Sequence, residues 1–202
     1  MKAKQVLWLL PCVLAAVASA AAPKFQAALP VWPEGRATRM NDFVEFRASF
    51  EAKSGEKPIL RVPILWGAVE TLDESSVTTV VANVLDMRNG DGTRVFDDWA
   101  VRYPTHVADV ADVLAQIAAR RLAGTWHWSG TEPLTKFDMA TVTARLAGVD
   151  SARLVRSGAP ANGSEPRPKD CHLDRSALER LGVTATGRLF EPTVRGLLAR
   201  FG

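Results

Sequence analysis

Tyrosine occurs once in the 202 residues, cysteine twice and histidine three times. Two cysteines, Cys12 and Cys171, exclude a scaffold built on disulfides. The histidines are His106, His127 and His172, and no two lie within five residues of each other. That spacing excludes the paired ligands of a zinc site, and Cys171-His172 has no second pair to complete a tetrahedron; no metal is expected. Charge of one sign is scarce too. Lys and Arg number 25 against 22 Asp and Glu, a formal net charge of +3. So small and evenly spread an excess does not suit a nucleic-acid binder. Glycine-rich phosphate loops are missing: Gly90 and Gly92 form the one G-x-G pair, and no third glycine follows at the needed spacing. The chain by itself therefore lacks the standard dinucleotide and P-loop cradles. No G-x-S-x-G turn presents a nucleophile, and no apolar run is long enough for a confident membrane span.

What is present suits a packed protein. Hydrophobic residues make up 47% and charged residues 23%, with six Trp and eight Phe to fill a core. The length fits one domain or two small ones. Residues 1–20 read as a signal-peptide-like segment: Lys2 and Lys4, an apolar run from Val6 to Val17 broken by Pro11, then Ala18-Ser19-Ala20. Those are the three parts that a secretion machinery reads. The alternatives are a buried apolar segment or a misplaced start. The triplet Asn162-Gly163-Ser164 would accept a glycan only in a secreted chain. Residues 21–42, with their prolines, predict an irregular linker.

From residue 43 onward, helical and extended patterns alternate, which predicts an α/β or α+β class. Phe43, Phe46 and Phe50 fall on one face of a helix over 43–53. The apolar run Ile59–Leu65 predicts a buried strand with Pro63 near its end. Residues 74–86 predict a helix, and Asn89-Gly90-Asp91-Gly92 a hairpin tip. The clearest helix is 107–122, with Val107, Val110, Ala111, Leu114, Ile117 and Ala118 in one stripe. On that helix Asp109 and Asp112 read as a solvated edge. Residues 124–128 predict a short strand, with Trp126 and Trp128 on one side. Thr135-x-x-Asp138 resembles a capping box, and Gly148 ends its helix. Residues 157–170 predict a surface loop. Asp174 caps a short helix that Gly182 stops, and Glu191-Pro192 starts the last one.

Candidate ligand contacts are few. His106 joins a strand to a helix, where α/β folds line their pockets; a structural histidine is the plainer reading. Trp66 precedes a turn, and Arg167 puts a cation on a loop, where it meets an anion or only solvent.

Four ordered segments carry a resemblance. They are Arg61-Val62-Pro63-Ile64-Leu65-Trp66-Gly67, Tyr103-Pro104-Thr105-His106-Val107-x-Asp109-Val110-Ala111, Gly124-Thr125-Trp126-His127-Trp128-Ser129-Gly130, and Arg167-Pro168-x-Asp170-x-x-Leu173-Asp174. Together they resemble the C-terminal part of extended short-chain dehydrogenases/reductases, in the dTDP-4-dehydrorhamnose reductase branch. Within it they look most like the regulatory beta subunits of methionine adenosyltransferase. The resemblance implies an α/β, partial NAD(P)-binding Rossmann-like fold, with residues 43–202 as its substrate-binding C-terminal part. It implies a regulator of S-adenosylmethionine synthesis, partnered by the methionine adenosyltransferase catalytic subunit, and a cytoplasmic location unless residues 1–20 direct secretion.

Departures from the family set further expectations. The glycine-rich NADP half has no counterpart, so any NADP pocket is incomplete. The catalytic Tyr-x-x-x-Lys of the superfamily matches Phe43 and Arg47, and Phe43 has no proton to exchange. Tyr103 cannot replace it, because Val107 lies four residues later. By resemblance, Leu65 would line the nicotinamide side of the pocket, with Phe43 and Arg47 as vestiges. No catalysis is expected. The chain stops at Gly202, about where the partner-binding tail of the regulatory subunits begins, which counts against the partnership. A nucleotide-sugar oxidoreductase relative and an inactive, truncated or secreted remnant are the alternatives. With half of the sheet absent, Ile59–Leu65 should have an open edge or bare face, which predicts a marginal chain melting below about 60 °C.

Overall fold

The computed structural model describes residues 25–26, 44–48, 58–160 and 168–202. Along the chain the first elements are β1 (Phe25–Gln26), β2 (Val44–Ala48), β3 (Ile59–Val62), β4 (Leu65–Trp66), α1 (Thr78–Leu85), β5 (Arg94–Asp97) and β6 (Thr105–His106). Then come α2 (Val107–Arg120), β7 (Thr125–His127), α3 (Lys136–Ala147), β8 (Leu154–Ser157), α4 (Ser176–Arg180) and α5 (Phe190–Phe201). They fall into two compact units.

The first unit holds the described residues up to Pro63, with 107–129 and 173–186. Its sheet has the order β1-β2-β3-β7, antiparallel except for the parallel β3–β7 pair. Leu60 and Val62 on β3 are buried. Helix α2 buries the predicted stripe Val107, Val110, Ala111, Leu114, Ile117 and Ala118, and Val113 with it. Asp109 is buried and partnered, not part of a solvated edge. Beyond the helix, the Gln116 carboxamide accepts from the Thr184 amide at 3.2 Å and donates to its carbonyl. Arg120 donates to the Leu181 and Gly182 carbonyls. Gln116 on α2 thus satisfies both backbone groups of Thr184, past α4, where no ladder reaches.

The second unit holds residues 64–106, 130–172 and 187–202. Its core joins Val77, Val80, Val81 and Val84 from α1, Met139, Ala140 and Ala144 from α3, and Phe190, Val194 and Leu197 from α5. The capping box of α3 is complete: Thr135 Oγ1 accepts from the Asp138 amide at 3.0 Å, and Asp138 Oδ2 accepts from the Thr135 amide at 2.9 Å. Gly148 closes the helix at φ 72°, a left-handed conformation in which a Cβ would be strained. Two short parallel sheets complete the unit, β4–β6 and β5–β8.

Several expectations are corrected. Residues 44–48 are a strand, not part of a helix, and pair with β3. Val44, Phe46 and Ala48 also alternate with Glu45 and Arg47, so the segment fits both periods and nonlocal pairing decides. β3 therefore has neighbours on both edges, β2 and β7, and no open edge. The linker 21–42 contains strand β1. The apolar run Ile59–Leu65 splits at Pro63, which lacks an N–H and restricts Val62 before it; β4 resumes with a different partner. Asn89–Gly92 is no hairpin tip: α1 and a 3₁₀ turn precede it, and β5 pairs in parallel with the distant β8. The predicted helix 74–86 starts at Thr78, with Ser75 Oγ accepting from the Thr78 amide at 3.0 Å. The signal-like segment and the Asn162 triplet lie outside the described residues. Among the described residues no helix is long and apolar enough to cross a membrane.

Candidate functional site

Strand β4 has two residues, and its parallel partner β6 also has two. Their register sets Leu65 against Thr105 and Trp66 against His106. Three residues picked out by the sequence, Leu65, Trp66 and His106, therefore come together where two parallel strands end, the place at which open α/β sheets receive ligands.

Trp66 is 1% exposed. Its ring meets the His106 imidazole edge-on, with centroids 5.9 Å apart, and lies 5.0 Å from the Phe190 ring. The indole N–H is buried and has no hydrogen-bond partner among the described residues. An unpaired buried donor costs about 1–3 kcal/mol. Trp126 Nε1 is unpaired in the same way in the first unit. There Trp128 is buried under the Arg175 guanidinium, 5.0 Å from the ring centroid. Trp128 is thus a packed aromatic with a cation on its face.

The backbone beneath His106 is held from several directions. The Thr105 amide donates to the Ile64 carbonyl at 2.9 Å. The Thr105 hydroxyl donates to the Tyr103 carbonyl at 2.9 Å and accepts from the Gly130 amide at 2.9 Å. A Cβ on Gly130 would stand 2.3 Å from the Pro104 carbonyl oxygen.

A second cluster lies a few residues upstream. Val101 forms a parallel bridge with Asp170. Buried Arg102 donates to the buried Cys171 Sγ at 2.8 Å. The Tyr103 ring packs on His172 with centroids 4.7 Å apart. Burial raises the Tyr103 phenol above its ordinary range, and the Asp170 carboxylate, which its hydroxyl meets, raises it further. A tyrosine held in its neutral form is a hydrogen-bond donor here, not a base. Among the described residues no group of three or more His, Cys, Asp or Glu is gathered to hold a metal.

Other candidates are not brought in. Phe43 and Arg167 lie outside the described residues. Arg47 falls on strand β2 opposite Ile59, so the helical frame that matched Phe43 and Arg47 to a catalytic pair is not formed at Arg47. Sequence reasoning missed Thr105 and Gly130 as site residues. The Gly130 amide reaches back 25 positions to the Thr105 hydroxyl, and no local pattern encodes so distant a contact.

The family described as RmlD substrate binding domain matches residues 47–201. The Rattus norvegicus protein named methionine adenosyltransferase 2 subunit beta is 40% identical over 131 residues, 62% of this chain and 38% of that protein. Its Danio rerio counterpart is 34% identical over 149 residues, 71% of this chain and 45% of that protein. The match thus spans less than half the length of these relatives. Among solved structures, a dTDP-4-dehydrorhamnose reductase from Clostridium acetobutylicum has a TM-score of 0.56 at 19% identity, covering 71% of this chain and 48% of that one. The Bacillus anthracis reductase, solved in complex with NADP, gives the same TM-score, identity and coverage. At such identity the likeness shows the fold alone: α/β, of the Rossmann-like extended short-chain dehydrogenase type, covered in part.

Proposed function

Because the chain belongs to the RmlD substrate binding domain family, we propose that it is a non-catalytic member that binds the methionine adenosyltransferase catalytic subunit and tunes S-adenosylmethionine synthesis. The observation that carries this reading is the 34–40% identity to proteins named methionine adenosyltransferase 2 subunit beta. That level stands well above the 19% shared with the reductase structures. The absence of catalysis is argued from the residues. Acid–base work on a carbonyl needs a group that gives and takes a proton. The one tyrosine, Tyr103, has Val107 four positions on in place of the lysine that the superfamily uses.

NADP fits this chain only in part. By resemblance, Leu65 at the end of β4 suits the nicotinamide end of a dinucleotide, whereas the Trp66 N–H is enclosed. No glycine-rich loop within the 202 residues cradles its phosphates. Any pocket within these residues is incomplete.

The test is association. The full chain mixed with a methionine adenosyltransferase catalytic subunit at micromolar concentration is expected to elute as a complex and to change the rate of S-adenosylmethionine formation. Separate elution with an unchanged rate overturns the reading. Consumption of NADPH with a dTDP-4-keto sugar would replace it with the oxidoreductase alternative. A native N-terminus near Ala21 would favour a secreted remnant over a cytoplasmic regulator.

A further inference from the structure

We propose that Thr105 and Gly130 are positioning residues for the His106 imidazole in the Trp66–His106 site. The inference rests on reading Trp66 and His106 as pocket residues, and its test needs no ligand, so the two fail separately.

Strand β6 is short. A two-residue strand paired with a two-residue strand has little ladder with which to fix a side chain. Successive residues of a strand point to opposite faces, so Thr105 anchors the face opposite His106. Thr105 is 1% exposed. Its hydroxyl is used twice, as donor to the Tyr103 carbonyl and as acceptor from the Gly130 amide. Its own amide is tied to Ile64, the residue that leads into β4. The peptide carrying His106 is therefore pinned to the strand that carries Trp66 and to the segment that carries Gly130. Gly130 is the only residue type that fits this arrangement. Any Cβ would collide with the Pro104 carbonyl at 2.3 Å, and the 104–105 peptide would have to move. Hydroxyl and missing side chain act together: one fixes the distance between the segments, the other permits it.

The experiment is NMR of the imidazole resonances in the full chain, comparing native protein with Thr105→Val and Thr105→Ser. Valine keeps the shape and removes both hydroxyl bonds; serine keeps the hydroxyl. His106 is the histidine recorded against Trp66, so displacement of its ring changes the ring-current contribution to its shift. The expected result is a shifted His106 in Thr105→Val, an unshifted His127, and a native His106 in Thr105→Ser; His172 is no control, because its ring packs on Tyr103, whose carbonyl the Thr105 hydroxyl holds. A His106 unmoved in Thr105→Val, or equal movement of His106 and His127, overturns the proposal. If Thr105→Val does not fold, two measurements remain. His106 has to sit at its native shift in Thr105→Ser, and the Gly130 amide of the native chain has to resist deuterium exchange as a bonded donor; failure of either overturns the proposal.

Discussion

Gly130 has no space for a methyl group. The nearest atom to a Cβ there would be a backbone oxygen, which cannot rotate away as a side chain can. Gly130→Ala is therefore expected to cost about 1–3 kcal/mol, the usual penalty for overpacking, read from the shift of a urea midpoint. Glu191 offers a prediction in pH. Hydrogen bonds from Arg145 and then Arg195 lower its carboxyl below the ordinary value of 4.5. A carboxyl lowered in the folded state adds stability above its unfolded value and loses it as pH falls through the folded one. Native stability should thus decline below about pH 4.5, and Glu191→Gln should flatten part of that decline in denaturation curves taken from pH 6 to pH 3. Asp98 acts in the same direction: burial opposes its charge, but the hydrogen bonds from Arg156 and Thr135 outweigh it. At this scale the sequence shows which side chains can do chemistry, and Trp66 and His106 stood out by type and neighbours. It does not show what meets them. Thr105 is an ordinary strand residue until Gly130 reaches it from 25 positions away.

Elements were legible where their signals are local. The capping box at Thr135 and Asp138, the left-handed Gly148 and the apolar stripe of α2 all lie within a few residues of the structure they specify. Each can be removed singly. Thr135→Ala should lower stability by about 1 kcal/mol. The amount could be larger, because Thr135 Oγ1 also donates to Asp98 at 2.9 Å. Thermal denaturation by circular dichroism would measure it, with Thr135→Ser expected to restore most of the loss. The elements misread are those decided at a distance. Val44–Ala48 satisfies a helical and a strand period equally, and β3 settles the matter by pairing with it. Asn89–Gly92 has the composition of a hairpin tip, yet a tip needs strands on both sides and α1 stands on one of them. Pro63 was seen, but its effect was placed too late: it ends β3 at Val62 and passes the rest of the apolar run to another sheet.

At the scale of the whole molecule, apolar burial among the described residues is concentrated in the second unit, where α1, α3 and α5 share one core. Val77, Val81, Val84, Met139, Ala140, Ala144 and Val194 are completely enclosed. Hydrogen exchange should be slowest there, because such amides open only when the unit unfolds as a body. The two residues of β4 and of β6 should exchange sooner, and a reversed order would contradict the core described here. The α/β class was legible from the alternation of patterns, but the grouping of residues into units was not. Each unit is assembled from stretches far apart in sequence.

The three parallel pairings also impose an order in time. Ile59 meets its partner only when Thr125 exists, Leu65 only when Thr105 exists, and Arg94 only when Leu154 exists. Parallel strands repay the entropy of closing a long loop late, so chains built on them fold slowly. On a ribosome, β3 can pair with β2 as it emerges, but its other edge, and β5, wait until the far side of each crossover has been synthesised. A nascent chain halted between Asp97 and Leu154 would thus leave the backbone edge of β5 without its β8 partner, the interval in which a chaperone would hold it.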